Sequence, residues 1–348
     1  MEKFFFNGLV GAMVAAMVMF FSGTASAGDW NFYGSARVQT FITDTDNKGA
    51  PDTKNFDQTL QSNSRIGSKV TVSDELTGLF EYGTGVNIRQ LYGEWDFGAG
   101  KFLVGQTYSP LNMSLSNQVY GSDEDLNSYG NPYAGRQAML RLTLGNFQIA
   151  GIEPDTDTLG VAGASTEVRI PKIEASYRLD LDKAYLLFAG GYQTYEIYDP
   201  ATATAQDVDS YIAALGGHMT FGPIYFAGNL YVAQNTGPYN LASAADDMPT
   251  LVGTNFIDNE SLGYILVGGM KLNDTLSFEV GYGYTQAELD QAGSRKDDVA
   301  SYYLQSTVNL AEGVFFVPEI GVIDHKKDQT GMAQSEILYY GIKWQINF

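Results

Sequence analysis

The C-terminal segment constrains the fold more than any other stretch of the chain. Leu338, Tyr340, Ile342, Trp344, Ile346 and Phe348 alternate there with Tyr339, Gly341, Lys343, Gln345 and Asn347. Successive side chains of a strand point to opposite faces, so one face is wholly apolar and the other largely polar. The apolar face needs cover. In a soluble sandwich a second sheet supplies it; in a membrane barrel lipid does, and the polar face lines the interior. Alternation in one segment does not choose between them.

Its recurrence does. Comparable segments are predicted at 30–42, 59–72, 78–86, 88–97, 101–108, 136–144, 145–153 and 168–179, then at 183–197, 208–221, 223–236, 260–272, 275–289, 298–310, 313–326 and 335–348. Tight connections fall at Ser73–Thr77, Gly98–Gly100, Gly145-Asn146, Asp180–Asp182, Gly222-Pro223, Asn273-Asp274 and Ala311–Gly313. Longer polar ones lie between them, such as Thr43–Gln58, Gly237–Asn259 and Lys327–Gln334. Short turns on one rim and long loops on the other are the layout of an outer-membrane barrel. The expectation is therefore an all-β fold: a transmembrane, antiparallel, up-and-down β-barrel of sixteen strands. The even count puts both termini on the short-turn rim, the periplasmic one. Closure is what hydrocarbon demands, because it leaves no sheet edge unpaired. No linker divides the chain, so 28–348 reads as one domain.

Composition agrees. Charged residues make up 17% of the chain, against about 25% in a typical soluble domain, while Gly and Tyr are abundant. Twenty Lys and Arg stand against forty Asp and Glu, a net charge of −20, which excludes a nucleic-acid partner held through its phosphates. With no Cys, disulfide scaffolds, thiolate metal sites and cysteine nucleophiles are excluded. Lys3, the apolar run Leu9–Phe21 and the small residues Ala25-Ser26-Ala27 read as a secretory signal peptide, 1–27. No later segment is apolar for long enough to cross a membrane as a helix.

Charges sit where a barrel needs them. Arg37 and Gln39 oppose Phe32, Ala36 and Val38; Arg65 and Lys69 oppose Ile66, Val70 and Val72. Glu279 opposes Phe278, Val280 and Tyr282, and Glu319 opposes Phe316, Pro318 and Ile320. A charge at the lipid midplane costs about 2–4 kcal/mol, so each of these should face inward. The segments 87–108 and 183–197 give no clean faces. Trp30, Trp95, Tyr198 and Tyr239, near strand ends, fit interfacial aromatic girdles. Asp246-Asp247 and Asp297-Asp298 read as solvated loop surface, or as carboxylates for Ca²⁺ or Mg²⁺ bridging lipopolysaccharide. No other cofactor is expected. Only His218 and His325 could serve a hydrolase as base, and no nucleophile elbow, phosphate loop or metal-ligand spacing accompanies them. The chain does not read as an enzyme.

At Arg89-Gln90-Leu91-Tyr92-Gly93-Glu94-Trp95-Asp96-Phe97-Gly98, followed by Phe102-Leu103-Val104-Gly105-Gln106, the chain resembles the general bacterial porins. It departs from their motif in having Gly105-Gln106 where a Gly-Arg step is usual. The resemblance extends to strand order and to the terminal phenylalanine. It implies a homotrimer of sixteen-stranded barrels in a Gram-negative outer membrane, each an aqueous channel for small hydrophilic solutes and ions. It also implies a long third loop, here Ser109–Gly135, folded into the lumen, whose Asp123, Glu124 and Asp125 would face a basic wall. By parity Arg37, Arg65 and Lys69 are the candidates for that wall. Arg141 also faces in, and Arg89 does so only if a bulge turns it. Tyr340, Trp344 and Phe348 resemble the signal read by the barrel-assembly machinery. The acidic surplus points to mild cation preference. A solute-selective channel of similar size and a non-channel structural or adhesive barrel are the alternatives.

Overall fold

The computed structural model describes residues 28–85, 87–253 and 255–348, so the expected signal peptide, 1–27, lies outside the described residues. The strands are β1 (Asp29–Asp46), β2 (Thr53–Leu60, continued by Arg65–Thr71), β3 (Leu76–Gly83), β4 (Ile88–Asp96), β5 (Lys101–Tyr108), β6 (Arg136–Leu144), β7 (Phe147–Ile152) and β8 (Ser165–Glu167, continued by Lys172–Asp180). There follow β9 (Ala184–Asp199), β10 (Thr204–Phe221), β11 (Ile224–Gln234), β12 (Asn259–Lys271), β13 (Leu276–Leu289), β14 (Asp297–Ala311), β15 (Val314–Lys327) and β16 (Glu336–Asn347). Each pairs antiparallel with the next. β16 returns to β1, from Ser35 opposite Asn347 to Asp46 opposite Glu336, and closes a sixteen-stranded barrel. At the seam the main chains of Gly34 and Phe348 exchange hydrogen bonds of 2.6 and 3.0 Å.

All seven expected tight turns are present, on the rim that also carries both ends of the described chain. The opposite rim is less uniform than expected. β1 and β2 run further than their predicted ends, so the expected loop Thr43–Gln58 shrinks to 47–52. The connections 84–87 and 200–203 are also short. The long connections are 109–135, 153–164 and 235–258, the last carrying a small hairpin, Thr250–Val252 with Asn255–Ile257.

One face of the wall is apolar and exposed, with Phe32, Ile66, Leu140, Leu266, Leu304 and Trp344 on it; the other buries Glu81, Glu174, Glu279, Glu319 and Lys343. This is the apolar-out, polar-in pattern that a bilayer selects. Two irregularities re-aim side chains inward, the usual work of a bulge. In β2 the residues Gln61–Ser64 leave the ladder opposite Ala36 and Arg37. In β4, Gln90 pairs with Glu81 but Ile88 with Tyr82, so Arg89 is an extra residue and turns inward to 5% exposure. That bulge is why 87–108 lacked clean faces. Leu91, Trp95 and Val104 lie outside, while Gln90, Tyr92, Glu94 and Leu103 lie inside. In 183–197 the reason differs. The inner face of β9 is itself apolar, and Ala189, Tyr195 and Ile197 are buried inside the barrel.

Two expectations fail. Tyr239 does not belong to a girdle: it is buried, donates to Glu174 at 3.0 Å and lies under the Lys172 ammonium. Asp247 is not solvated surface either. It is buried and accepts from the Thr236 hydroxyl at 2.8 Å, and desolvation pushes its carboxyl up to about 6. A tyrosine or an aspartate near a strand end reads the same whether its loop turns outward or packs down on the barrel.

Candidate functional site

The segment 109–135 is fixed to inward-facing side chains of distant strands. Glu279 of β13 accepts from the Asn117 main chain at 2.9 Å and from its amide at 2.6 Å. Glu319 of β15 accepts from the main-chain N–H groups of Val119 at 2.7 Å and Tyr120 at 3.0 Å. Gln118, wholly buried, donates to Ser301 and to the Tyr339 hydroxyl and accepts from Leu126. Leu111, Met113, Leu115 and Val119 pack with Ile212, Tyr231, Ile265 and Tyr339 into the interior apolar cluster. A buried main-chain N–H left unpaired costs about 1–3 kcal/mol, so the two wall glutamates fix where this segment runs.

Its turn at Gly121–Leu126 meets the break in β2. Gln61 donates to the Val119 carbonyl at 3.0 Å, Asn63 to Asp123 at 2.7 Å, and the Ser122 N–H donates to Gln39 at 3.2 Å. Ser122, Asp123, Asp125 and Leu126 all hold positive φ, between 56° and 68°. Side chains adopt this left-handed region only when their surroundings over-determine it, a common state at functional sites. Gly130, at φ 104°, passes so close to the Tyr264 and Tyr284 carbonyls that no Cβ would fit.

Asp123 is the junction. It binds Arg37 of β1 at 2.5 Å and Lys343 of β16 at 3.0 Å, and so bridges the two strands that close the barrel. Around it Arg37, Arg65, Arg89 and Arg136 line one polar space of about 260 Å³ together with Asp123, Glu124 and Asp125. Arg89 is held by Glu81 at 2.8 Å, and Arg65 lies 3.7 Å from the same carboxylate. The Arg65 Nε has no hydrogen-bond partner. Arg136 stacks on Tyr108 and donates to its hydroxyl at 3.0 Å. Glu124 turns away to accept from the Ser128 main chain and hydroxyl. Asp125 opens on the space only in part and is otherwise walled in. Desolvation, and next the charge of Asp123, hold its carboxyl well above the usual carboxylate range, against the pull of Lys343.

The acidic run and three of the five candidate cations thus meet around one space. Lys69 lies exposed towards the short-turn end of β2, and Arg141 pairs with Glu94 at 3.6 Å; neither borders the space. Arg136 and Lys343 were not singled out from the sequence. Lys343 could have been, since it is the one charge on the polar face of the final strand. Arg136 could not, because its strand position shares parity with the outward Leu140. Among the described residues no group of His, Asp and Glu is arranged to hold a metal ion.

A closed sixteen-stranded antiparallel barrel, apolar outside, is the fold of solved outer-membrane porins. The solved structures that share it include the outer membrane channel DcaP of Acinetobacter baumannii, at TM-score 0.76 and 16% identity over 94% of this chain and 100% of that one. OmpF of Salmonella typhi, solved with daunomycin, matches at 0.64 and 13% over 92% and 98%. The anion-selective porin of Comamonas acidovorans matches at 0.59 and 13% over 92% and 100%. No protein-family model matches the sequence, and no curated protein matches it. The likeness is one of fold.

Proposed function

We propose that this protein is a porin of a Gram-negative outer membrane, a water-filled channel through which small hydrophilic solutes and ions diffuse passively. The observation that carries this reading is the charged space between the arginines and the Asp123 turn, inside a barrel whose outside is apolar. In this reading 109–135 lies in the lumen and narrows it. Its hydrogen bonds to Glu279 and Glu319, and the ion pairs of Asp123 with β1 and β16, support that path. Size is then filtered by the narrowing and charge by the field across it. The signal peptide 1–27 directs export, the termini are periplasmic, and three copies assemble side by side, as the resemblance to the general porins implies. The outer face contacts lipid and lipopolysaccharide. Tyr340, Trp344 and Phe348 serve as the address read by the barrel-assembly machinery.

The test is the conductance of the purified protein in a planar bilayer. Ohmic, long-lived open channels are expected. A sealed barrel with no conductance would instead favour the structural or adhesive reading.

A further inference from the structure

Beyond the Asp123 space lies a second one of different chemistry. It is bordered by Asn117 of the anchored segment and by inward residues of β11 to β16, among them Ser277, Gln305, Thr307, Asn309 and Phe315, and it measures about 470 Å³. That is within the roughly 300–1,000 Å³ of small-molecule sites. Its charges are already committed. Glu279 accepts from Asn117, Tyr225, Tyr303 and Gln305; Lys343 holds Asp123; Lys271 holds Asp274 at 2.8 Å. The groups left over are neutral. The Ser277 and Thr307 hydroxyls, opposite each other on β13 and β14, have no partner among the described residues. Asn309 uses its amide N–H on the Asp274 carbonyl, which leaves its side-chain oxygen open. Gln305, 5% exposed, spends its amide on Asn117 and Glu279 while its Oε1 accepts nothing. Beside these groups Phe315, an aromatic ring on the polar side of the wall, receives Lys343 at 5.9 Å from its centroid.

We propose that this space is a subsite for a neutral polyhydroxylated solute of mono- or disaccharide size. Such a solute offers a hydroxyl donor to the open Asn309 side-chain oxygen and accepts from the Ser277 and Thr307 hydroxyls. Its C–H face lies on the Phe315 ring and Val317. The buried charges here, Glu279 and Lys343, are already paired, in contrast to the Arg65 Nε of the Asp123 space, which has no hydrogen-bond partner. The proposal rests on the porin reading for access, yet its chemistry is independent of conductance.

Calorimetric titration of maltose into the full barrel in detergent reads the subsite directly. Saturable binding with a dissociation constant of about 1 mM is expected. Phe315→Ala should raise that constant about tenfold, equivalent to roughly 1.4 kcal/mol, and Thr307→Val should raise it while leaving thermal unfolding unchanged. The conservative pair guards against a misfolded Phe315→Ala. No saturable heat with the unmodified protein, or an affinity in both variants unchanged from that of the unmodified protein, would overturn the subsite. The porin reading stands or falls separately on the bilayer conductance.

Discussion

Asp123 and Asp125 are two positions apart and carry different electrostatics. Asp123 lies between Arg37 and Lys343, so Asp123→Asn leaves two cations unmatched at one point. A unit charge at ~4 Å is worth about 1 kcal/mol in the water-like limit, or about fivefold in a ratio of permeabilities. The reversal potential in a salt gradient should move towards anions by about that ratio. Desolvation holds the Asp125 carboxyl well above the usual carboxylate range, so Asp125→Asn should change selectivity less than Asp123→Asn wherever that proton is retained. The folded state holds this proton more tightly than the unfolded chain does. Stability therefore falls as pH rises from the ordinary carboxylate range towards the raised value, and deprotonation adds negative charge to the space. A shift towards cations as pH rises above the usual carboxylate range, absent in Asp125→Asn, is the expected signature. An equal shift in both proteins would show that it does not come from Asp125.

At the scale of elements, the segment 109–135 depends on acceptors that the wall supplies. Glu319→Ala would strand the N–H groups of Val119 and Tyr120, at about 1–3 kcal/mol each if they stay buried. The barrel ladder is untouched, so the segment should yield before the wall does. Faster proteolysis within 109–135 and larger, noisier single-channel currents are expected, with overall unfolding near that of the unmodified protein; unchanged cleavage would mean that other contacts suffice. Most strands were legible because a period of two repeats along them, and lipid penalises each exception. The path of this segment was not. Asn117 meets Glu279 at a separation of 162 residues and Val119 meets Glu319 at 200, and no local pattern encodes such a pairing. The sequence did place both glutamates inward; what they hold is visible only in three dimensions. Arg89 shows the same limit on a smaller scale, because the bulge that turns it leaves no mark in the alternation beyond a break in it.

For the molecule as a whole, two charge distributions compete. The chain carries −20 overall, while the Asp123 space and its immediate partners hold Arg37, Arg65, Arg89, Arg136 and Lys343 against Glu81, Asp123, Glu124 and Asp125. The distant acidic surface acts over a Debye length of about 10 Å at 0.1 M salt and about 3 Å at 1 M. Cation preference is therefore expected in dilute salt and should fade towards 1 M, where the nearby arginines dominate; a preference independent of salt would place control at the inner wall alone. Assembly is also a property of the whole. Phe348 is 71% exposed, and the final rung of the seam is made by its main chain, which exchanges two hydrogen bonds with Gly34. Deleting the residue would remove that rung and the ring together. Phe348→Ala separates them, since the rung survives. Even full burial of such a side chain is worth only about 1.5–3 kcal/mol, and this one is mostly exposed, so the finished barrel should tolerate the change. If the ring is read before folding, the unfolded chain loses its address. Phe348→Ala should then refold in detergent as the unmodified protein does, yet insert poorly into the outer membrane of cells. Normal insertion would mean that the ring serves only to face lipid, and the closure from β16 to β1 would stand regardless.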